Sequence, residues 1–417
     1  MTAGLLPPDP FAAMMRDSHL LAPHDLPDFV ARHGERLALR DARVYLADLQ
    51  QRQLVPFHST SGPDVTENLA VLGVDSTLAG RAFQHVEAVV QEGSGDGVRA
   101  WLPLLDGTER LGVMGVTLGG SDDVGEGTPT GDRLRHFAAL VAELVMAKTQ
   151  YGDTVVRLRR SAAMGLAAEI QWSMLPPLTF ADENVIVAGA LEPAYQVAGD
   201  SVDYAVDADA TRFAVFDGMG HSLQSAQLVG LVVAAYRNSR RRGHTLAQTA
   251  RHIDQAVTEV YGGDAFTTGL LAELDTATGL LRWTSAGHLP PLLLRHGQLV
   301  KTLDLQPELP FGVGLSPLGG AGSEPEVRVG TEQLEPGDYL LLFTDGVVEA
   351  RSPEGELFGV PRLTDLMVRN LAAGLSAPET MRRAVTALLD HQAGNLVDVA
   401  TMLLAQWRPA HPRMLLP

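Results

Sequence analysis

The sequence predicts an α+β protein in three parts: a mixed N-terminal domain over residues 25–131, a helical segment over 132–177, and a C-terminal domain over 178–410 of two antiparallel sheets with helices outside. Three observations predict it. Short apolar runs punctuated by hairpin-type turns occupy both ends of the chain, whereas the middle repeats its apolar residues at steps of three and four. The C-terminal part also holds many strand-like runs, and two sheets between outer helices are one of the few arrangements that bury so many. Residues 1–24 are expected to be loose.

Composition sets limits on function. At 417 residues the chain is long enough for two or three domains, each with its own core. Apolar content of 45% and charged content of 20% are those of a soluble globular protein. A formal charge of −18 argues against nucleic acid or an anionic membrane as the main partner. The absence of cysteine excludes disulfides, thiolate zinc sites, iron–sulfur clusters and thioether-linked chromophores. The start has no basic stretch and carries Pro7, Pro8 and Pro10, so no signal peptide is expected. No apolar run approaches the roughly 20 residues needed to span a bilayer, and a cytoplasmic location follows as the expectation.

In the first domain, residues 25–39 read as a helix, with Leu26, Phe29, Val30, His33 and Leu37 near helical spacing. Residues 42–48 and 54–57 read as strands around a turn at 50–53, and 78–83 as a short helix. Runs at 99–105 and 111–118 flank Asp106-Gly107, a hairpin signal. His58 and His85 read as ordinary surface or core histidines.

After the Gly- and Asp-rich loop at 121–132 comes the longest periodic stretch. Leu134, Phe137, Val141, Leu144, Lys148, Tyr151, Val155, Leu158 and Ala162 follow an a/d heptad seam. A stripe this narrow suits a partner helix better than a broad domain face, so a parallel homodimeric coiled coil through residues 134–165 is expected, with a hinge at Gly152. The helix should continue through Glu169 and Gln171 and stop at Pro176-Pro177.

The C-terminal domain should contain strands at 185–191, 212–216, 269–274, 280–285, 291–295, 339–343 and 401–407. Turn residues at 276–279 and 296–297 separate two of the strand pairs. Helices are expected at 223–242, 246–261, 362–371 and 378–391. Arg237 and Arg240 to Arg242 suggest a phosphate clamp, but they lie near a helix C-terminus before Gly243, where cations offset the dipole.

The chemistry gathers at two corners. Phe213-Ala-Val-Phe-Asp217-Gly218-Met219-Gly220-His221 ends an apolar run in a carboxylate beside a loop whose carbonyls are uncovered, and Tyr339-Leu-Leu-Leu-Phe343-Thr344-Asp345-Gly346 repeats the pattern. Asp200 follows Gly199, and Asp398 opens the last apolar run. Clustered carboxylate and carbonyl oxygens favour Mg²⁺ or Mn²⁺.

Gly199-Asp200-Ser-Val-Asp203, Phe216-Asp217-Gly218-Met219-Gly220-His221, Ser285-Ala-Gly287-His288-Leu-Pro-Pro, Phe343-Thr344-Asp345-Gly346-Val-Val-Glu349 and Asp398-Val399-Ala400-Thr401 occur in this order. From about Ala168 to Trp407 the set resembles the metal-dependent PP2C-like (PPM) serine/threonine phosphatases, in the branch of SpoIIE and the Rsb stress-response phosphatases. The resemblance implies an αββα sandwich. It also implies two Mn²⁺ or Mg²⁺ ions held by Asp200, Asp217, the Gly218 carbonyl, Asp345 and Asp398, with Asp217 bridging them and a shared water or hydroxide attacking the phosphorus. His221 is a candidate proton donor to the leaving group or an orienting group for the Asp217 loop, and His288 a residue that fixes a loop. A phosphorylated anti-sigma-factor antagonist, a STAS-domain protein, is the implied substrate, and movement of the helix around Glu169–Gln171 the implied switch. The strand and exit-helix order of residues 25–131 resembles a GAF-type sensor. Val399 stands where the phosphatases carry a second carboxylate or an asparagine. This departure motivates the rival expectation of a catalytically silent sensor or scaffold.

Overall fold

The computed structural model describes residues 9–59, 69–92, 97–119, 124–195, 199–220, 222–306, 308–314, 327–393 and 399–409. The chain divides into two compact units, Met1–Ala163 and Met164–Pro417.

The first unit contains α1 (Pro10–Ser18), α2 (Leu26–Arg36), β1 (Arg40–Ala47), β2 (Gln53–Pro56), β3 (Leu72–Gly73), α3 (Leu78–His85), β4 (Val89–Glu92), β5 (Gly97–Asp106), β6 (Glu109–Gly119), α4 (Pro129–Thr149) and α5 (Thr154–Leu158). Its strands form one sheet in the order β3-β2-β1-β6-β5-β4, antiparallel at every pairing. Both faces are covered. Val44 and Leu46 of β1 point into the core shared with α2 and α4, while Tyr45 and Ala47 pack with Phe83 of α3. The expected β5–β6 hairpin closes at Asp106-Gly107, with Asp106 opposite Glu109.

The expected long helix and its dimer seam are corrected by the structure. The segment breaks into α4, α5 and, in the second unit, α6 (Leu166–Met174). Leu134, Phe137, Val141 and Leu144 are buried in the first unit's own core. Ala138, Ala142 and Val145 are buried beside them, so the apolar face is wider than a two-in-seven stripe and fits a sheet. The alanines hid that width in the sequence. Tyr151, assigned to the seam, is exposed.

After α6 the second unit contains β7 (Thr179–Ala181), β8 (Val185–Glu192), β9 (Asp200–Val206), β10 (Ala210–Gly218), α7 (Leu223–Arg241), α8 (Leu246–Tyr261), β11 (Thr267–Asp275), β12 (Leu280–Ala286), β13 (Leu292–Arg295), β14 (Gln298–Thr302), β15 (Gly330–Gln333), β16 (Tyr339–Phe343), α9 (Asp345–Val348), α10 (Gly359–Ala372), α11 (Ala377–His391) and β17 (Ala400–Trp407). One antiparallel sheet runs β15-β12-β11-β10-β9 and the other β14-β13-β16-β17-β8-β7. Three cores stack them. Val215, Leu270, Leu342 and Leu403 meet between the sheets; α7 and α8 cover the outer face of the first sheet; α10 and α11 cover that of the second. The order of layers is helix, sheet, sheet, helix.

This stacking explains the unbroken apolar runs. In β10, Phe213 and Val215 face the other sheet while Ala214 and Phe216 face the helices. In β16, Leu340 and Leu342 point inward and Leu341 and Phe343 outward. A strand buried on both faces has no position for a polar residue until it ends. The two runs end at Asp217 and at Thr344-Asp345.

Candidate metal and phosphate site

Asp217 occupies the end of β10, directly opposite Asp200 at the start of β9. Like charges facing each other across an antiparallel pair are destabilising unless something positive offsets them. Asp200 is buried and Asp217 half-buried, which sharpens that conflict. Backbone oxygens crowd the same corner. A Cβ on Gly199 would lie 2.6 Å from the Gly220 carbonyl oxygen and 3.3 Å from that of Gly218. Only glycine permits so close an approach.

The second corner is tied to the first by one hydroxyl. Thr344 Oγ1 donates to Asp200 Oδ2 at 2.7 Å and accepts from the Thr401 N–H at 3.0 Å. Asp345 follows it as the first residue of α9. A Cβ on Gly346 would sit 2.1 Å from the Val399 carbonyl oxygen, so the Asp345-Gly346 corner and the segment before β17 touch through backbone. Val399 itself is buried.

His288 ties the sheets together near the same tips. Its Nε2 bonds the Phe343 carbonyl at 3.2 Å and its Nδ1 pairs with Thr268 Oγ1 at 2.9 Å, with Thr268 directly opposite Asp217. A carbonyl only accepts, so Nε2 carries the proton and Nδ1 accepts from the threonine. Ser285 Oγ bonds the His288 backbone at both N–H and carbonyl. The loop-fixing role expected of this histidine is what these bonds perform. Burial lowers its pKa from 6.5 to about 4, against a smaller raising effect of the Phe343 carbonyl. The unfolded chain therefore binds a proton below pH 6.5 that the folded one refuses until about pH 4, so stability falls as pH drops through that window. By this linkage the loss at pH 5 is on the order of 2 kcal/mol. Urea unfolding of the parent and His288→Asn at pH 7 and pH 5 should show a steeper decline for the parent, and equal declines would contradict the assignment.

Two site residues predicted from sequence, His221 and Asp398, lie outside the described residues. Among the described residues, no three His, Asp or Glu side chains gather in an arrangement that could hold a metal ion. Asp200 and Asp217 are brought together, Asp345 is linked to them through Thr344, and the Gly218 carbonyl lies in the glycine corner. This set of hard oxygens fits a hard divalent cation. Among the described residues, three buried oxygens of residues that neighbour it, Gln171 Oε1, Thr267 Oγ1 and Thr401 Oγ1, have no hydrogen-bond partner.

Three features were not read from the sequence. Thr344 looks like any strand-favouring residue. Gln171 of α6 donates through Nε2 to the Asp200 carbonyl at 2.6 Å, which attaches that helix to the site. Arg240 lies in the last turn of α7 as expected, but it and Arg237 both bond the buried Asp203, and Arg237 Nη2 also bonds the Met174 carbonyl at 2.5 Å. An acid two residues beyond a serine in β9, facing arginines one turn apart in α7, was the available signal.

The four layers meet at one edge in the paired acids and the glycine carbonyls. Residues 207–408 match the family Stage II sporulation protein E (SpoIIE), and the match supports a PP2C-type hydrolase. The chain is 25% identical to phosphoserine phosphatase RsbU of Bacillus subtilis over 240 residues, 57% of this chain and 68% of RsbU. The solved RsbU and RsbW domains of Rv1364c from Mycobacterium tuberculosis align at 24% identity and TM-score 0.45, over 55% of this chain and 63% of theirs. The catalytic domain of the serine/threonine phosphatase PstP of Mycobacterium tuberculosis, solved in complex with two manganese ions, aligns at 17% identity and TM-score 0.38, over 54% of this chain and 99% of that solved chain. The chain thus spans about two thirds of the length of the first two relatives. Among the described residues no helix is long and apolar enough to cross a membrane.

Proposed function

We propose that this chain is a metal-dependent serine/threonine protein phosphatase, controlled by its N-terminal unit, that acts on a phosphorylated STAS-domain antagonist of an anti-sigma factor. The observation that carries the reading is the opposition of Asp200 and Asp217 beside the Gly218 and Gly220 carbonyls, an anionic corner that calls for cations. Mn²⁺ or Mg²⁺ would be held by Asp200, Asp217, the Gly218 carbonyl, Asp345 and Asp398. A pair of such ions, when bound, acidifies water and offsets phosphate charge. The chain's own residues do the rest. Asp200 and Asp217 supply the negative charge, Thr344 aims the Asp200 carboxylate, and His288 holds the two strand tips together. His221 remains the candidate donor of a proton to the leaving serine or threonine oxygen.

The N-terminal unit fits a GAF-like ligand sensor, a six-stranded sheet with helices on both faces. A cavity of about 600 Å³ lies against Val90, Leu102, Leu105, Ala138 and Arg135. In the catalytic unit the Gln171 bond to Asp200 makes α6 the element through which a signal would reach the site.

The test is release of phosphate from a phosphoserine STAS-domain protein. Release that needs Mn²⁺ or Mg²⁺ supports the reading; release from a small aryl phosphate alone would remove the substrate assignment. The rival reading of a silent scaffold draws on Val399, which stands where the phosphatases it resembles carry a second carboxylate or an asparagine. Val399→Asp separates the two. Valine neither ligates nor hydrogen-bonds, and losses beside a metal site typically cost about 10–100-fold in affinity or activity. Val399→Asp should therefore shift the manganese requirement to lower concentration. Superimposable titrations would mean that position 399 only packs, and a parent inactive at every concentration would favour the scaffold.

A further inference from the structure

We infer that Thr344 is a positioning residue that orients the Asp200 carboxylate for metal binding and locks together the three chain segments that meet at the site. The inference rests on the phosphatase reading above. The Thr344 side chain is fully buried. Its single hydroxyl proton is spent on Asp200 Oδ2 at 2.7 Å, and its oxygen accepts the Thr401 N–H at 3.0 Å. The Val399 carbonyl lies 3.4 Å from the same oxygen, and the Thr344 N–H donates to the Thr401 carbonyl at 3.0 Å. One residue thus joins the start of β9, the end of β16 and the entry to β17.

The direction of the bond matters. An oxygen that both accepts from a backbone N–H and donates to a carboxylate fixes which Asp200 oxygen it holds, and so the plane of that carboxylate. Hydrogen bonds to an ionised acceptor are the stronger kind, and partners behind a ligand set its orientation and its affinity for metal. With His288 bonding the Phe343 carbonyl one residue earlier, the end of β16 is pinned from two sides. Asp200 is therefore aimed before any ion arrives.

The test uses the full chain and reads manganese binding directly, by electron paramagnetic resonance of the free ion, beside hydrolysis of an aryl phosphate. Thr344→Val keeps the shape and removes the hydroxyl. It should weaken manganese binding about 10–100-fold and raise the manganese concentration for half-maximal activity, while activity at saturating manganese returns towards the parent's. Thr344→Ser restores the hydroxyl and should bind within about threefold of the parent. It also carries the test if the valine variant fails to fold, since a tenfold loss in the serine variant would overturn the inference. In an Asp200→Asn background, Thr344→Val should add little further loss; an undiminished extra loss would show that Thr344 does not act through Asp200. Parent-like manganese affinity in Thr344→Val overturns this inference and leaves the phosphatase reading standing. A parent that binds no manganese overturns both.

Discussion

Asp217→Asn is expected to lower phosphatase kcat/KM by more than about 100-fold while leaving the fold intact. The change keeps the side-chain volume and removes the charge that faces Asp200 across the β9–β10 pair. Loss of a residue that merely supports a metal ligand costs about 10–100-fold, so loss of an anionic ligand itself should exceed that range. Folding should survive, because an amide opposite Asp200 relieves the repulsion between two carboxylates rather than adding a buried charge. In the metal-free protein the variant should even melt slightly higher than the parent. Near-full turnover by a folded Asp217→Asn would remove Asp217 from the metal site, whatever became of the rest of the account.

Val141→Asp should have the other large effect, on stability. Val141 is fully buried in the core that α4 shares with the first unit's sheet, among Phe137, Ala138 and Val145. A carboxylate buried among these apolar side chains would cost several kcal/mol, about 3–5 on the scale of an uncompensated buried charge. At about 2–4 °C per kcal/mol for a unit of this size, the unfolding of the first unit should fall by on the order of 10 °C. Calorimetry checks it. Had the heptad reading been right, the same substitution would instead turn a dimer into a monomer with little change in the melting of the unit.

The two corners of the site were legible because the sandwich buries β10 and β16 on both faces, and an apolar run that ends abruptly in Asp-Gly marks where the burial stops. The hairpin turns were legible for a related reason: His296 and Gly297 both adopt positive φ between β13 and β14, as such short turns require. What could not be read were facts of register and of distant contact. Nothing in the sequence places Asp200 opposite Asp217 rather than opposite Phe216, and a one-residue slip would turn one of them to the other face. Thr344 bonds residue 200, 144 positions away. The α4 seam misled because Ala138 and Ala142, small enough to be overlooked as apolar, widen its face and seat it on a sheet. Nothing in the sequence pairs Asp203 with Arg237 and Arg240, which α7 brings against it.

The most direct measurement is hydrolysis of a small aryl phosphate by the full chain, titrated with manganese and then with chelator. Turnover should rise with manganese, fall to background when the ion is withdrawn, and return when it is restored. Turnover unaffected by chelator, or none at any manganese concentration in a protein that is folded, would contradict that expectation.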